Sequence, residues 1–400
     1  MTAALSTSAA SRPVLRGVVF DMDGTLTRPN LDFSEMYRRC GVPVSSDILE
    51  AVAAMPPAER ATAQGVIDEM EEEGRRTLQL MPGARELARW LDAHDIPTAI
   101  VTRNTAKTVA HLHEQLWAPL PPFSPAISRD DEALPAKPDP AALREIASRW
   151  ALPVGREILM VGDSPANDVG FGKAAGVSTC LLDTGRRTLE GGDDGGADLV
   201  VDALARLPHR LFAAFDIQSE AAAPLRKYAT PTPVGAASAA AARGDVAALE
   251  TLPLSQLDAP DPESGNTPLI WAADAGHAPA VSALLRKGVA CNTRGFLGAT
   301  ALARACRAGH TSALEALLAT PGIDPNVAND KMQSPLHFAA FKKQPAAVAL
   351  MLAHEACSPF VLDRKGRTPA EDTSDEAIRA AIVAAQEAQL AAVPKGDMQV

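Results

Sequence analysis

The chain has 400 residues, 46% of them hydrophobic, which is more than one typical core and fits a globular fold of two domains. A formal net charge of -11 argues against a general nucleic-acid surface, and no uninterrupted apolar stretch is long enough to span a bilayer. The five cysteines, at 40, 180, 291, 306 and 357, lack metal-ligand spacing and suit a reducing compartment.

Residues 1–13 read as a flexible N-terminus. Met1 to Arg16 carries Ser, Ala, Thr and arginines without acids, so an organelle transit segment is the alternative to the expected cytoplasmic location. Next comes Gly17-Val-Val-Phe-Asp21-Met-Asp23-Gly-Thr-Leu26. Its apolar β-branched run predicts a buried strand with Asp21 at the carboxyl end, where open α/β sheets bind ligands. Asp21 can attack an electrophile such as phosphorus, and Asp23 can protonate the leaving oxygen and later deprotonate water. Taken alone, the same string also fits a turn or a metal loop.

Residues 29–80 place Tyr37, Ile48, Val52, Met55, Val66, Ile67, Met70 and Leu78 at mostly helical spacing, which predicts a small helical insert. Arg38, Arg39, Arg75 and Arg76 are candidates to grip an anionic substrate. Glu69, Glu71, Glu72 and Glu73 read as a solvated charge run. Ile96 to Val101 predicts a second strand, ending at Thr102-Arg103-Asn104, where a hydroxyl and loop amides can hold phosphoryl oxygens. Thr102 also fits a helix cap, a role compatible with phosphate binding at the same helix start. Arg103 reads either as a substrate contact or as a solvent-facing side chain. His111 and His113 sit two apart on a predicted helix, point to different faces and read as structural or surface residues.

Lys137 lies in an extended Ala-Lys-Pro-Asp-Pro turn before a helix near Ala141, where its ammonium can offset phosphoryl charge. Ile158 to Val161 predicts a third strand, followed by the acidic loop Gly162-Asp163-Ser164-Pro165-Ala166-Asn167-Asp168, whose hard oxygen ligands favour magnesium. Ser164 and Asn167 read as loop-shaping and capping residues. Gly191 to Gly196 reads as a surface loop, because it lacks the spaced ligands of a calcium motif.

These four motifs, in this order, resemble the haloacid dehalogenase-like superfamily across residues 14–212. The resemblance implies a Rossmann-like α/β core with a small helical cap over residues 29–80. It implies that Asp21 forms an aspartyl-phosphate, that Asp23 is the acid/base, and that Thr102 and Lys137 position the phosphoryl group; Arg103, from its place beside Thr102, is a further phosphate-binding candidate. It further implies a Mg2+ ion held by Asp21, Asp163 and the main-chain carbonyl of Asp23, with Asp168 either a ligand or an orienting neighbour. In that superfamily the second aspartate marks phosphatases and phosphomutases. The expected activity is therefore a magnesium-dependent phosphomonoester hydrolase acting on a small phosphorylated metabolite. A phosphomutase of the same fold, or a scaffold working only through the second domain, are the alternatives.

From about Ala221 the composition turns to Ala, Pro, Ser and Thr, and a linker is expected over 213–234. Thr267, Thr300, Ser334 and Thr368 then recur in Thr-Pro-Leu-like contexts at a period near 33 residues. Ala275-Gly276-His277 and Ala308-Gly309-His310 follow, each preceding a Leu-Leu pair. This pattern resembles an ankyrin-repeat array and implies an all-α solenoid over 235–390 that binds a protein partner, with residues 391–400 as a tail. A degenerate unit at Ala236 to Leu257 and a helix at Ala377 to Ala388 are expected to cap the array. Lys342-Lys343-Gln344 breaks the turn pattern of the third repeat.

Overall fold

The computed structural model describes residues 12–185, 188, 191–217 and 231–392. The first eleven residues, most of the expected linker and residues 393–400 lie outside the described residues. The chain divides into two compact units, one comprising the described residues up to 217 together with 390–392 and the other running from 231 to 389.

The first unit is built on six parallel strands: β1 (Gly17–Phe20), β2 (Thr98–Val101), β3 (Ala126–Ile127), β4 (Ile158–Gly162), β5 (Ser178–Leu182) and β6 (Leu199–Val201). Their order is β3-β2-β1-β4-β5-β6. Val19 pairs with Ala99 on one side and with Met160 on the other, so β1 lies at the centre. Parallel strands carry helices on both faces and therefore read as continuous apolar runs, as Gly17–Phe20 and Ile158–Gly162 do, with every residue buried. Strands β3, β5 and β6 were not expected from the sequence. β3 has only two residues, and the Ser-Thr-Cys start of β5 dilutes its apolar signal.

Of the four helices between β1 and β2, the first three build the insert: α1 (Phe33–Cys40), α2 (Ile48–Ala53) and α3 (Pro57–Arg76). Local chemistry starts each one. The Asp32 carboxylate accepts from Glu35 N at 2.9 Å, Asp47 accepts from Leu49 N at 3.0 Å, and Pro57 opens α3 at a position where no N–H is needed. Met36, Tyr37, Val42, Ile48, Val52 and Ile67 form a separate small core for this insert. Its two ends meet in an antiparallel bridge between Thr27 and Leu80, flanked by Arg28 N to Gln79 O (2.8 Å) and Met81 N to Leu26 O (2.8 Å).

Residues 213–217, expected in the linker, still belong to the first unit. The helix Leu207–Ala214 runs through the boundary, Phe215 is buried, and Asp216 bridges to Val14.

The second unit stacks helix pairs. Thr267, Thr300 and Ser334 cap the first helices of three pairs, starting at Pro268, Ala301 and Pro335, by accepting from the backbone N–H three residues on. Leu284 and Leu317 are fully buried in one core with Leu249, Leu336 and Met351. The Lys342-Lys343-Gln344 turn keeps the geometry of its neighbours. Gln344 N donates to Ala339 O at 2.9 Å, as His277 N does to Ala272 O at 2.9 Å, and Lys343 takes the left-handed φ of 55° that Gly276 takes at 77°.

Candidate active site

The carboxyl ends of β1, β2 and β4 adjoin one another because β1 sits between the other two, and the chain leaves this switch point in both directions. Asp21 directly follows β1 and donates its N–H to Val161 O of β4 at 2.9 Å, which draws it towards the loop after β4. Gly24 turns the chain with φ 74°, and a Cβ there would lie 2.2 Å from Asp163 Oδ2. Gly162 is equally constrained, since its Cβ would sit 2.2 Å from Asp168 Cγ. Glycine at these two points lets the two acidic loops close on each other.

The side chains of Asp21, Asp163 and Asp168 converge, each offering an oxygen within 4.8 Å of the others, and all three are buried. Lys137 Nζ donates to Asp21 Oδ1 at 2.5 Å and to Asp168 Oδ1 at 2.6 Å, while Asp168 Oδ2 accepts from Ser164 N at 3.0 Å. Both oxygens of Asp168 are thus engaged, which suits orienting Lys137. The Asp23 carboxylate lies outside the three-carboxylate cluster. It accepts from Asn104 Nδ2 and from Thr27 Oγ1.

Electrostatics follow from this crowding. Burial raises the Asp21 carboxyl well above its ordinary value; Lys137 opposes this, and Asp168, Asp163 and Asp23 reinforce it. Asp163 is pushed up to about 7, by burial first and then by Asp168. Asp23 is raised by burial, against the hydrogen bonds from Asn104 and Thr27. Burial opposes the charge on Lys137, yet Asp21 and Asp168 more than offset it and hold the ammonium above the ordinary lysine value. Four carboxylates around one ammonium leave a negative excess in a buried site. That donor set, all hard oxygens, fits a divalent cation such as Mg2+.

Thr102 follows β2 and is buried; its hydroxyl accepts from Asn104 N at 3.1 Å, and Thr105 caps the next helix by accepting from Thr108 N at 3.2 Å. The capping role considered for Thr102 therefore falls to Thr105. Arg103 pairs with Asp47, the residue that caps α2, so its guanidinium ties the core to the insert instead of lying unpaired for phosphate.

The charge run on α3 needs a correction. Glu71 is buried, at 8% exposure, and takes a two-pronged ion pair from Arg129, with Nη1 to Oε1 at 2.5 Å and Nη2 to Oε2 at 3.0 Å. It lies on the inward stripe Ala63, Ile67, Glu71, and this four-residue spacing was the available signal. Arg129 belongs to no local pattern, and Asn104, although it closes the Thr102-Arg103-Asn104 run, matters through its side-chain bond to Asp23, 81 residues away. The candidate substrate grips on the insert are engaged elsewhere: Arg38 with Glu35, Arg39 with Glu69, Arg75 with Glu72, Arg76 with Glu73. His113 is structural as expected, accepting from Phe123 N at 3.3 Å through Nε2 and stacking on its ring.

A cavity of about 280 Å³ opens above the carboxylates, floored by Asp21, Asp23, Thr102, Lys137 and Asp163 and roofed by the insert.

Residues 15–176 match the family described as haloacid dehalogenase-like hydrolase, and residues 237–329 match three ankyrin repeats. The chain is 39% identical over 230 residues to a haloacid dehalogenase-like hydrolase domain-containing protein of Arabidopsis thaliana, covering 53% of this chain and 89% of that one. The chain belongs to the haloacid dehalogenase-like hydrolases. A hydrolase of Saccharomyces cerevisiae is 34% identical over 173 residues, covering 42% of this chain and 77% of its own. A phosphoglycolate phosphatase of Pseudomonas savastanoi pv. phaseolicola is 31% identical over 194 residues, covering 42% and 69%. The six-stranded parallel sheet is the α/β core expected of this hydrolase family, its insert is the cap, and the second unit is an ankyrin-repeat array. With phosphatases among its relatives, the first unit is a hydrolase of the phosphatase type.

Proposed function

We propose that the chain is a magnesium-dependent phosphomonoester hydrolase that works through a phosphoryl group transferred to Asp21. The observation that carries this reading is the arrangement of Asp21 at the end of β1, paired with Lys137 and packed against Asp163 and Asp168. Asp21 attacks phosphorus, its new O–P bond forms as the ester P–O bond breaks, and Asp23 gives its proton to the departing alcohol oxygen. Asp23 then takes a proton from water, which attacks the phosphorylated Asp21; the Asp21–phosphorus bond breaks and inorganic phosphate leaves. Asn104 fixes the Asp23 carboxyl for both proton movements. The raised proton affinity of Asp23 suits a group that must start protonated.

Lys137 and the Thr102 hydroxyl bind the phosphoryl oxygens. Side-chain oxygens of Asp21 and Asp163 and the main-chain carbonyl of Asp23 would hold Mg2+, with Asp168 bracing Lys137 beside them. The ion supplies positive charge that keeps Asp21 ionised and offsets the phosphoryl oxygens. The cap excludes water from the cavity during transfer. The ankyrin array serves protein recognition, the role that its match to ankyrin repeats supports.

The test is phosphate release from a panel of small phosphomonoesters by the full-length protein, with magnesium and with a chelator. Asp21→Asn is expected to lower turnover by roughly a thousandfold or more. Turnover retained by that variant would refute the nucleophile, and isomerised ester with little free phosphate would point to a mutase.

A further inference from the structure

The roof of the cavity is unlike its floor. Leu31, Phe33, Met36, Tyr37, Ile48 and Leu49 face the space above the carboxylates. Of the insert's other polar groups at the cavity, the Tyr37 hydroxyl donates to Ser46 O at 2.9 Å and the Asn30 amide nitrogen to Gly74 O at 2.6 Å, while Glu71 brings a negative charge to the wall. Among the described residues, three cations line the cavity, and each already has a carboxylate partner. Lys137 holds Asp21 and Asp168, Arg103 holds Asp47, and Arg129 holds Glu71 in a two-pronged pair. A second anionic group on a bound ester would meet an apolar wall and the Glu71 carboxylate, at the cost of burying an uncompensated charge.

We propose that the substrate's leaving group is an apolar aryl or alkyl alcohol without a second negative charge. The proposal rests on the phosphomonoesterase reading and narrows it. It sets this chain apart from its relatives named for phosphoglycolate, an ester that carries a carboxylate beside its phosphate. Recognition then comes from contact with Phe33, Met36 and Ile48, while Lys137 and Thr102 read only the phosphoryl group. Phe33 is the handle for testing this, since it lines the cavity yet remains 42% exposed, so substitution there leaves the cap core alone.

The full-length protein, with magnesium, is offered benzyl phosphate and para-carboxybenzyl phosphate, two esters with matched leaving oxygens that differ by one carboxylate. A kcat/KM at least about tenfold higher for benzyl phosphate is expected, a discrimination that one desolvated charge readily supplies. Phe33→Lys should bring the ratio close to unity, and Phe33→Leu should restore most of it. Binding of the two corresponding phosphonates, measured by calorimetry, gives a readout independent of turnover and should rank them the same way. Equal or better use of the carboxylated ester, with both esters hydrolysed, would overturn the proposal and leave the hydrolase reading standing. Tighter binding of the benzyl phosphonate without hydrolysis of either ester would bear out the cavity's apolar preference but overturn the hydrolase reading, and with it the assignment of that preference to a leaving group. Phosphonates bound without discrimination, or neither bound, would overturn it outright.

Discussion

Asp23 owes its position to neighbours on other elements, the Asn104 amide after β2 and the Thr27 hydroxyl at the base of the cap. Asn104→Ala removes a hydrogen bond to an ionisable group, of the kind worth about 1.5–3 kcal/mol. We expect kcat to fall by about tenfold to a hundredfold. The bond from Asn104 lowers the proton affinity of Asp23, so its loss should also move the pH–rate limb governed by Asp23 upward, read from a full pH profile. Asp163 offers a second test. Its carboxyl titrates near 7 in the folded chain against an ordinary 3.8, so the native state binds more protons than the unfolded state between those values. The stability contribution is present at low pH and lost as the pH rises through that window, by up to about 1.4 kcal/mol per unit. Denaturant midpoints of the chelated protein should fall accordingly, and added magnesium should remove or reverse the slope. A flat profile without metal would contradict the buried cluster.

At the scale of elements, the legible parts of the chain were those in which one segment carries its own signal. The Val-Val-Phe run before Asp21 announced both strand and site, and the Thr-Pro and Gly-His repeats announced the helix pairs. The hidden parts depend on contacts between segments. Glu71 looked like one of several surface acids because its partner Arg129 lies 58 residues away, and Arg103 met Asp47 across 56. The third repeat turn shows how much a sequence departure can be absorbed. Lys343 adopts a left-handed backbone that glycine takes at low cost, and the turn hydrogen bond is kept. Lys343→Gly should relieve that strain and raise stability by about 0.5–1 kcal/mol. A rise in the ankyrin unit's melting temperature by a few degrees checks this, and an unchanged or lower value would show that the lysine conformation costs nothing.

On the scale of the whole molecule, the two units have separate hydrophobic cores. One is built around Val19, Ile146, Met160 and Phe171, the other around Leu249, Leu284, Leu314 and Met351. Leu314→Ala should therefore destabilise the ankyrin unit by about 2–5 kcal/mol while phosphate release keeps its kcat at temperatures where that unit remains folded. Parallel loss of both would show that the units fold as one. Within the first unit, the cap leaves and rejoins the sheet through the Thr27–Leu80 bridge, where its ends are already hydrogen-bonded to each other. The closure entropy of the cap is thus settled at its neck, and beyond it the Arg103–Asp47 and Arg129–Glu71 pairs seat the cap on the core. The cap is in effect a cassette: a different one could be spliced at the neck, changing which alcohol departs while the phosphorus chemistry beneath stays the same.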